Sequence, residues 1–309
     1  MQRREGFVDA QGHQLAYVAV NEDLDTEEQP CLVFIHGVLA SVNFWLDCVP
    51  PELQQNRAWY SLSLPAHYPS TAPADFAPEQ VNEEWFFALM NEALQKLLGN
   101  IKAIIIGHST GGFSGLNLAI HHAPNVLGVI SIGGFHSGQW GGPEGLLVKL
   151  AGLGRVARPL FASNIALAGR SRLLQGLFAS LLAHQRRAYI RSPLSRKMIE
   201  NLRPHIPHQN TKALFALFHG IGRLEIADQL HRIQVPCHIL AGTHDPVVPA
   251  EQSLLLAARV PTAKVTEFRN VGHMPFMEDT NAYYAALNQA IADISQSHTR
   301  TATVSETAA

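Results

Sequence analysis

A chain of 309 residues with 47% hydrophobic side chains and a net charge of only −2 can bury a sizeable core and carries no overall charge suited to a polyanion. No apolar run approaches the roughly 18–20 residues of a membrane span, and the arginines of the opening MQRREGFVDAQGHQL have no apolar segment behind them. Three cysteines (Cys31, Cys48 and Cys237) make no disulfide framework, so a helical membrane protein and a disulfide-stapled secreted domain are excluded and a cytoplasmic location is expected.

Taken in chain order, residues 6–20 predict a hairpin turning at AQGH. An acidic loop, NEDLDTEEQP, leads into CLVFIHG, a buried strand of parallel type, and AWYSLSLP is a weaker strand. From Glu83 to Leu98, Phe86, Leu89, Met90, Ala93, Leu94 and Leu97 recur at helical spacing, and Gly99 stops the helix. IKAIIIG then reads as a strand, FSGLNLAIHHA as a helix and VLGVISIGGF as a strand, an alternation that implies a parallel sheet with helices on its faces. The rhythm breaks at Gly133, and residues 143–222 read as several short helices. It resumes at IQVPCHILAGTHD, followed by a helix near 250–259, the strand AKVTEFRN and a closing helix AYYAALNQAIADIS. The expected organisation is an α/β core in two parts, 1–135 and 229–295, with a helical cap inserted at 136–228 and a disordered tail at 296–309.

Charge is divided along the same lines. Residues 136–228 hold 13 Lys and Arg against 4 Asp and Glu, whereas the remainder is acidic. Such a block is either a solvated helical surface or a face that meets an anionic substrate or an acidic partner. No nucleic-acid motif accompanies it. Among the 16 histidines, the HH at 121–122 and the HIPH at 205–208 match no zinc spacing, so neither a metal nor a cofactor is expected.

The stretch IKAIIIGHSTGGFSG brackets Ser109 with glycines at the end of an apolar strand. A serine hydroxyl is a weak nucleophile unless a base takes its proton and donors receive the new oxyanion. A sharp strand-to-helix turn serves both needs, and it is so crowded that small residues are required two before and two after the serine, the positions of Gly107 and Gly111. Gly112 and Gly115 would let the helix lie close to the sheet. Downstream, ILAGTHDPVVP offers Asp245 just past a strand, and FRNVGHMPFMED offers His273 in a loop before the last helix. Both loops would lie at the C-terminal edge of a parallel sheet.

The pattern G-x-S-x-G between strand and helix, followed by an acid and then a histidine, resembles the α/β-hydrolase family, and within it the cap-bearing serine esterases and lipases. The resemblance spans nearly the whole chain. It implies an α/β-hydrolase fold and a catalytic triad of Ser109, Asp245 and His273. VFIHGVLAS is similar to the family's His-Gly oxyanion segment, which implies that the backbone N–H groups of Val38 and Thr110 form the oxyanion hole. SLPAHYPS resembles the segment D-x-P-G-H-G-x-S but departs from it, with Ser63 in place of the acid and Ala66 and Tyr68 in place of glycines. His108, beside the nucleophile, is expected to pack. Trp140, Phe161 and Phe178 of the insertion are candidate substrate contacts, each with cap core as the competing role. The expected activity is hydrolysis of an ester with a medium-chain or aromatic acyl group. A small acyl substrate, which an acidic carrier protein could deliver, is the expected partner. Thioesterase, lactonase and carbon–carbon bond hydrolase activity use the same triad, and a non-catalytic ligand receptor is the alternative of another class.

Overall fold

The computed structural model describes residues 2–24 and 29–307, with side chains placed through His298. Residues 25–28 of the acidic loop lie outside the described residues. The strands are β1 (Arg3–Ala10), β2 (His13–Val20), β3 (Cys31–Ile35), β4 (Trp59–Leu62), β5 (Ala103–His108), β6 (Val126–Ile132), β7 (Cys237–Gly242) and β8 (Ala263–Phe268). They form one sheet in the order β1-β2-β4-β3-β5-β6-β7-β8. The β1–β2 hairpin pairs antiparallel and adds to β4 antiparallel, while every pairing from β4 to β8 is parallel.

Parallel strands are buried on both faces, which is why their sequences run apolar rather than alternating. On β5, Ala103 and Ile105 enter one core cluster, and Ile104 and Ile106 enter the other. The helix α1 (Pro51–Asn56) is short. The next, α2 (Glu83–Leu98), starts where Asn82 accepts from the Trp85 N–H and stops at Gly99, whose φ is 60°. After β5 comes α3 (Thr110–Ile120), buried along its whole length.

Between β6 and β7 the chain forms α4 (Gly142–Gly152), α5 (Arg158–Gly169), α6 (Arg172–Ser180), α7 (Arg186–Arg191), α8 (Pro193–Leu202) and α9 (Thr211–Ile221). This block leaves and returns along one stem. The Gly138 N–H donates to Leu224 O, and the Ile226 N–H donates to His136 O, each at 2.9 Å. At Gly138 a side chain would meet Ile221 O at 1.7 Å, so only glycine closes the stem.

The chain ends in α10 (Ala250–Arg259), α11 (Pro275–Glu278) and α12 (Thr280–Thr307). Residues 296–298 therefore continue the last helix instead of opening a disordered tail: Ser297 Oγ donates to Asp293 O, so its hydroxyl is satisfied within the helix. The side chains of the remainder, 299–309, lie outside the described residues. No helix among the described residues is long and apolar enough to cross a membrane.

Candidate active site

The apolar run of β5 ends at Ser109, whose backbone is turned to φ 54° and ψ −115° before α3 begins. A non-glycine residue there is strained, and the surroundings hold it. The Ser109 N–H donates to Ile132 O at 2.9 Å, tying the turn to the end of β6. A side chain at 107 would meet Gly111 O at 2.0 Å, and one at 111 would meet Ile35 O at 2.1 Å. The two glycines are thus required by close backbone approach. Gly115 lies against Val129 and Ile105, as helix-to-sheet packing needs.

Asp245 sits in the loop after β7 and His273 in the loop after β8. One Asp245 oxygen, Oδ1, accepts from the N–H groups of Val247 and Val248 at 2.8 and 2.9 Å. The other, Oδ2, lies 2.6 Å from His273 Nδ1. Both side chains are almost fully buried. With Nδ1–H donating to the carboxylate, Nε2 of the neutral ring carries a lone pair. Burial pulls the His273 pKa down, but the charge of Asp245 and its hydrogen bond outweigh that and leave it above the ordinary histidine value. Ser109 Oγ and His273 Nε2 are both buried, and neither has a hydrogen-bond partner among the described residues. Such bonds commonly close only when substrate is bound.

His108 does more than pack. Its ring stacks on Phe44, and Nε2–H donates to the carbonyl of His273 at 2.9 Å. The ring is held neutral, because burial first, and the nearby His273 second, push its pKa well down. From the cap side, the His273 N–H donates to Leu182 O at 2.9 Å. The histidine backbone is therefore gripped at both its N–H and its C=O.

The segment after β3 passes beside the serine: a side chain at Gly37 would meet Ser109 Cβ at 3.0 Å. Two buried histidines fix this segment. His36 Nδ1–H donates to Gly37 O, and its Nε2 accepts from the Leu64 N–H and lies 3.1 Å from Ser63 Oγ. His67 Nδ1–H donates to Pro65 O, and its Nε2 accepts from the Leu39 N–H. Ser63 thus takes part in holding the loop. Ala66 adopts φ 64°, the left-handed geometry for which glycine is favoured. Val38 lines the cavity beside Ser109. Thr110 is the first residue of α3, so its N–H has no acceptor one turn earlier in the helix.

Over Ser109 lies a cavity of about 390 Å³, walled by Val38, Phe44 and Met274 from the core and by Leu147, Leu150, Ile165, Phe178 and Met198 from the helical block. Of the aromatic candidates, Phe178 lines it and two do not. Trp140 packs edge-on against Phe135 at 4.8 Å and lines a separate groove with Gly138 and His219. Phe161 is fully buried between Phe215 and Phe218, where aromatic edges close the core of the block. Leu146 lines the cavity yet is 68% exposed, which marks the mouth. Glu144, in the first turn of α4, also lines the cavity. Sequence reasoning passed over it, since a glutamate in a first helical turn ordinarily complements the helix dipole at the surface.

The fold has counterparts. The chain matches the family model described as alpha/beta hydrolase fold over residues 30–280. It is 24% identical over 203 residues to a pimeloyl-[acyl-carrier protein] methyl ester esterase of Vibrio atlanticus, covering 64% of this chain and 74% of the relative. The corresponding esterase of Legionella pneumophila is 28% identical over 71 residues, so this match spans 23% of the chain and only 30% of that relative. Among solved structures, a "putative aryl esterase from Burkholderia cenocepacia" superposes with a TM-score of 0.72 at 17% identity, over 94% of this chain and 99% of the other. The matched model takes in the serine turn, the acid and the histidine alike, and the chain belongs to the alpha/beta hydrolase fold family.

Proposed function

We propose that the protein is a serine hydrolase acting on carboxylic esters. Ser109 attacks the acyl carbonyl, and His273 takes the hydroxyl proton at Nε2 and returns it to the leaving alcohol. Asp245 keeps the proton of the resting imidazole on Nδ1 and offsets the charge of the imidazolium. The N–H groups of Val38 and Thr110 receive the oxyanion, a contribution of roughly 3–4 kcal/mol per donor. Water then cleaves the acyl-enzyme. The observation that carries this reading is the 2.6 Å bond from Asp245 to His273, beside a serine held in a strained turn. The apolar walls of the cavity favour a medium-chain or aromatic acyl group.

The test is reaction of Ser109 with a fluorophosphonate, together with turnover of simple esters, thioesters and lactones across chain lengths. Labelling with steady ester turnover is expected. Labelling with no turnover of any substrate would favour a ligand receptor, and no labelling would remove Ser109 as nucleophile. The steps need only side chains and backbone, so EDTA should leave the rate unchanged.

A second reading concerns how the acyl group arrives. Arg155, Arg170, Arg172, Arg186, Arg187 and Arg191 are exposed on the helical block, and the relatives in Vibrio and Legionella are esterases of an acyl-carrier protein conjugate. An acidic carrier would meet this face. Its kcat/KM should fall as salt screens the charge, with a Debye length of roughly 8 Å at 0.15 M. A neutral ester of equal chain length should respond little, and parallel salt curves would reduce the basic face to ordinary surface.

A further inference from the structure

Glu144 is a carboxyl group in an unusual position. It is 6% exposed, it lines the cavity over Ser109, and its Oε2 is buried with no hydrogen-bond partner among the described residues. Its place is fixed by the backbone that precedes it. The Gly141 N–H donates to Val247 O at 2.7 Å, and side chains at 141 or 142 would meet Pro246 O at 2.7 and 2.9 Å. The first turn of α4 is therefore seated directly on the loop that carries Asp245. Among the described residues, no Lys or Arg lines the cavity. A second side-chain oxygen, the amide Oε1 of Gln175, is also buried without a partner among the described residues and belongs to a residue that lines the same cavity.

A buried polar group left unpaired is costly, and a polar group kept inside an apolar cavity beside reacting groups fits a ligand that pairs with it. We propose that Glu144 is a substrate-binding subsite that accepts a hydrogen bond from a hydroxyl of the ester, so that the enzyme selects hydroxylated esters over otherwise identical ones without the hydroxyl. This rests on the nucleophile reading above and adds a substrate class to it. A hydroxyl suits the site because it both donates and accepts. Burial lifts the Glu144 pKa to about 7, with His273 opposing and Asp245 adding to the rise, so both forms of the carboxyl are populated near neutrality. The ionised form accepts from a hydroxyl and the protonated form donates to one, whereas a substrate carboxylate would be repelled by the ionised form. The apolar lining around it excludes water that would otherwise compete for the same bond.

The experiment compares kcat/KM for ethyl hexanoate, ethyl 3-hydroxyhexanoate and 2-hydroxyethyl hexanoate, which place the hydroxyl on the acyl or the alcohol side. At least one hydroxylated ester should be preferred by about tenfold or more in the parent enzyme, a modest value for a site built to pair with a hydroxyl. Glu144→Gln keeps an acceptor and should hold that preference within about threefold, while Glu144→Leu, which keeps the volume, should bring the ratio to near unity. Equal use of all three esters by the parent would overturn the proposal, as would a preference that survives Glu144→Leu. A uniform loss across the three esters in Glu144→Leu would also overturn it, since the carboxyl would then act on His273. Fluorophosphonate labelling of the parent separates the two readings. Labelling without hydroxyl preference sinks only the subsite, and absence of both labelling and turnover sinks the nucleophile and the subsite together.

Discussion

Holding Ser109 at φ 54° costs on the order of 1–2 kcal/mol, and an alanine there would bear the same backbone strain. Ser109→Ala should therefore fold as the parent does while ester hydrolysis falls by at least about 10³-fold. A thermal melt beside a rate assay checks both halves. Asp245 governs the next effect. The imidazole of His273 accepts the serine proton only when neutral, so kcat/KM should fall as pH drops through its pKa, which Asp245 lifts above the ordinary value. Asp245→Asn removes the charge that lifts it, so the acid limb of the profile should move to lower pH as the rate drops. A limb that stays in place would mean that another group sets the profile. His108 acts at one remove, through its bond to the His273 carbonyl. His108→Phe keeps the ring stacked on Phe44 and deletes the donor, and kcat should fall about 10- to 100-fold with little change in KM.

The turn between β5 and α3 leaves no room at residue 111, where a methyl group would lie 2.1 Å from Ile35 O. Gly111→Ala should force β3 and α3 apart and cost more than about 3 kcal/mol, visible as a lowered denaturant midpoint. This crowding was legible in the sequence, because a serine between glycines after three isoleucines has few other uses. The inner strands β3, β5 and β6 were legible for a related reason: burial on both faces writes a largely apolar run into each, whereas β8 at the sheet edge is mostly exposed and polar. The acid and the histidine followed from their chain order and their place after strands. What could not be read was contact across the block between β6 and β7. Trp140, Phe161 and Phe178 are alike in type and setting, yet only Phe178 meets the cavity. Which face of a short helix turns inward depends on partners far away in sequence, here Phe215 and Phe218 for Phe161. Glu144 was hidden in the same way, since its burial is set by the loop at 246–247 and not by its neighbours. The role of Ser63 beside His36 was equally out of reach, because the two are 27 positions apart.

Across the whole molecule, buried histidines set how stability responds to acid. Burial holds His13, His36 and His67 down to about 4, 3 and 4, and His108 also well below the ordinary value. Above pH 6.5 these rings are neutral whether the chain is folded or not, so they make no difference there. Below it the unfolded chain takes up protons that the folded one refuses, and stability is lost as pH falls from 6.5 toward 4. Each such ring contributes up to about 1.4 kcal/mol per pH unit in that window. Glu144, Asp47 and Glu278, whose raised pKa values cost stability as pH rises, and His273, whose raised pKa adds stability in acid, run in the opposite sense, but burial lowers His121, His205 and His238 as well. The melting temperature should therefore fall steadily on acidification below pH 6.5. A flat profile down to pH 4.5 would show that these rings become charged within the fold.

The bond from the His273 N–H to Leu182 O has company: the Gln185 N–H donates to Glu278 Oε2, and Gln185 Nε2 donates to Asn270 O. Residues 182–185 are thus stitched to the very loop that carries His273, the proposed general base. Any hinge motion lifting this stretch would uncouple His273 from its anchor, so gating and catalysis cannot share that route. Traffic in and out is then expected on the side where Leu146 stands at the rim, with the helical roof staying shut over Ser109. Amide hydrogen exchange at His273 then becomes a clock for the roof itself, expected to run as slowly as the sheet and to quicken only when the whole block comes away.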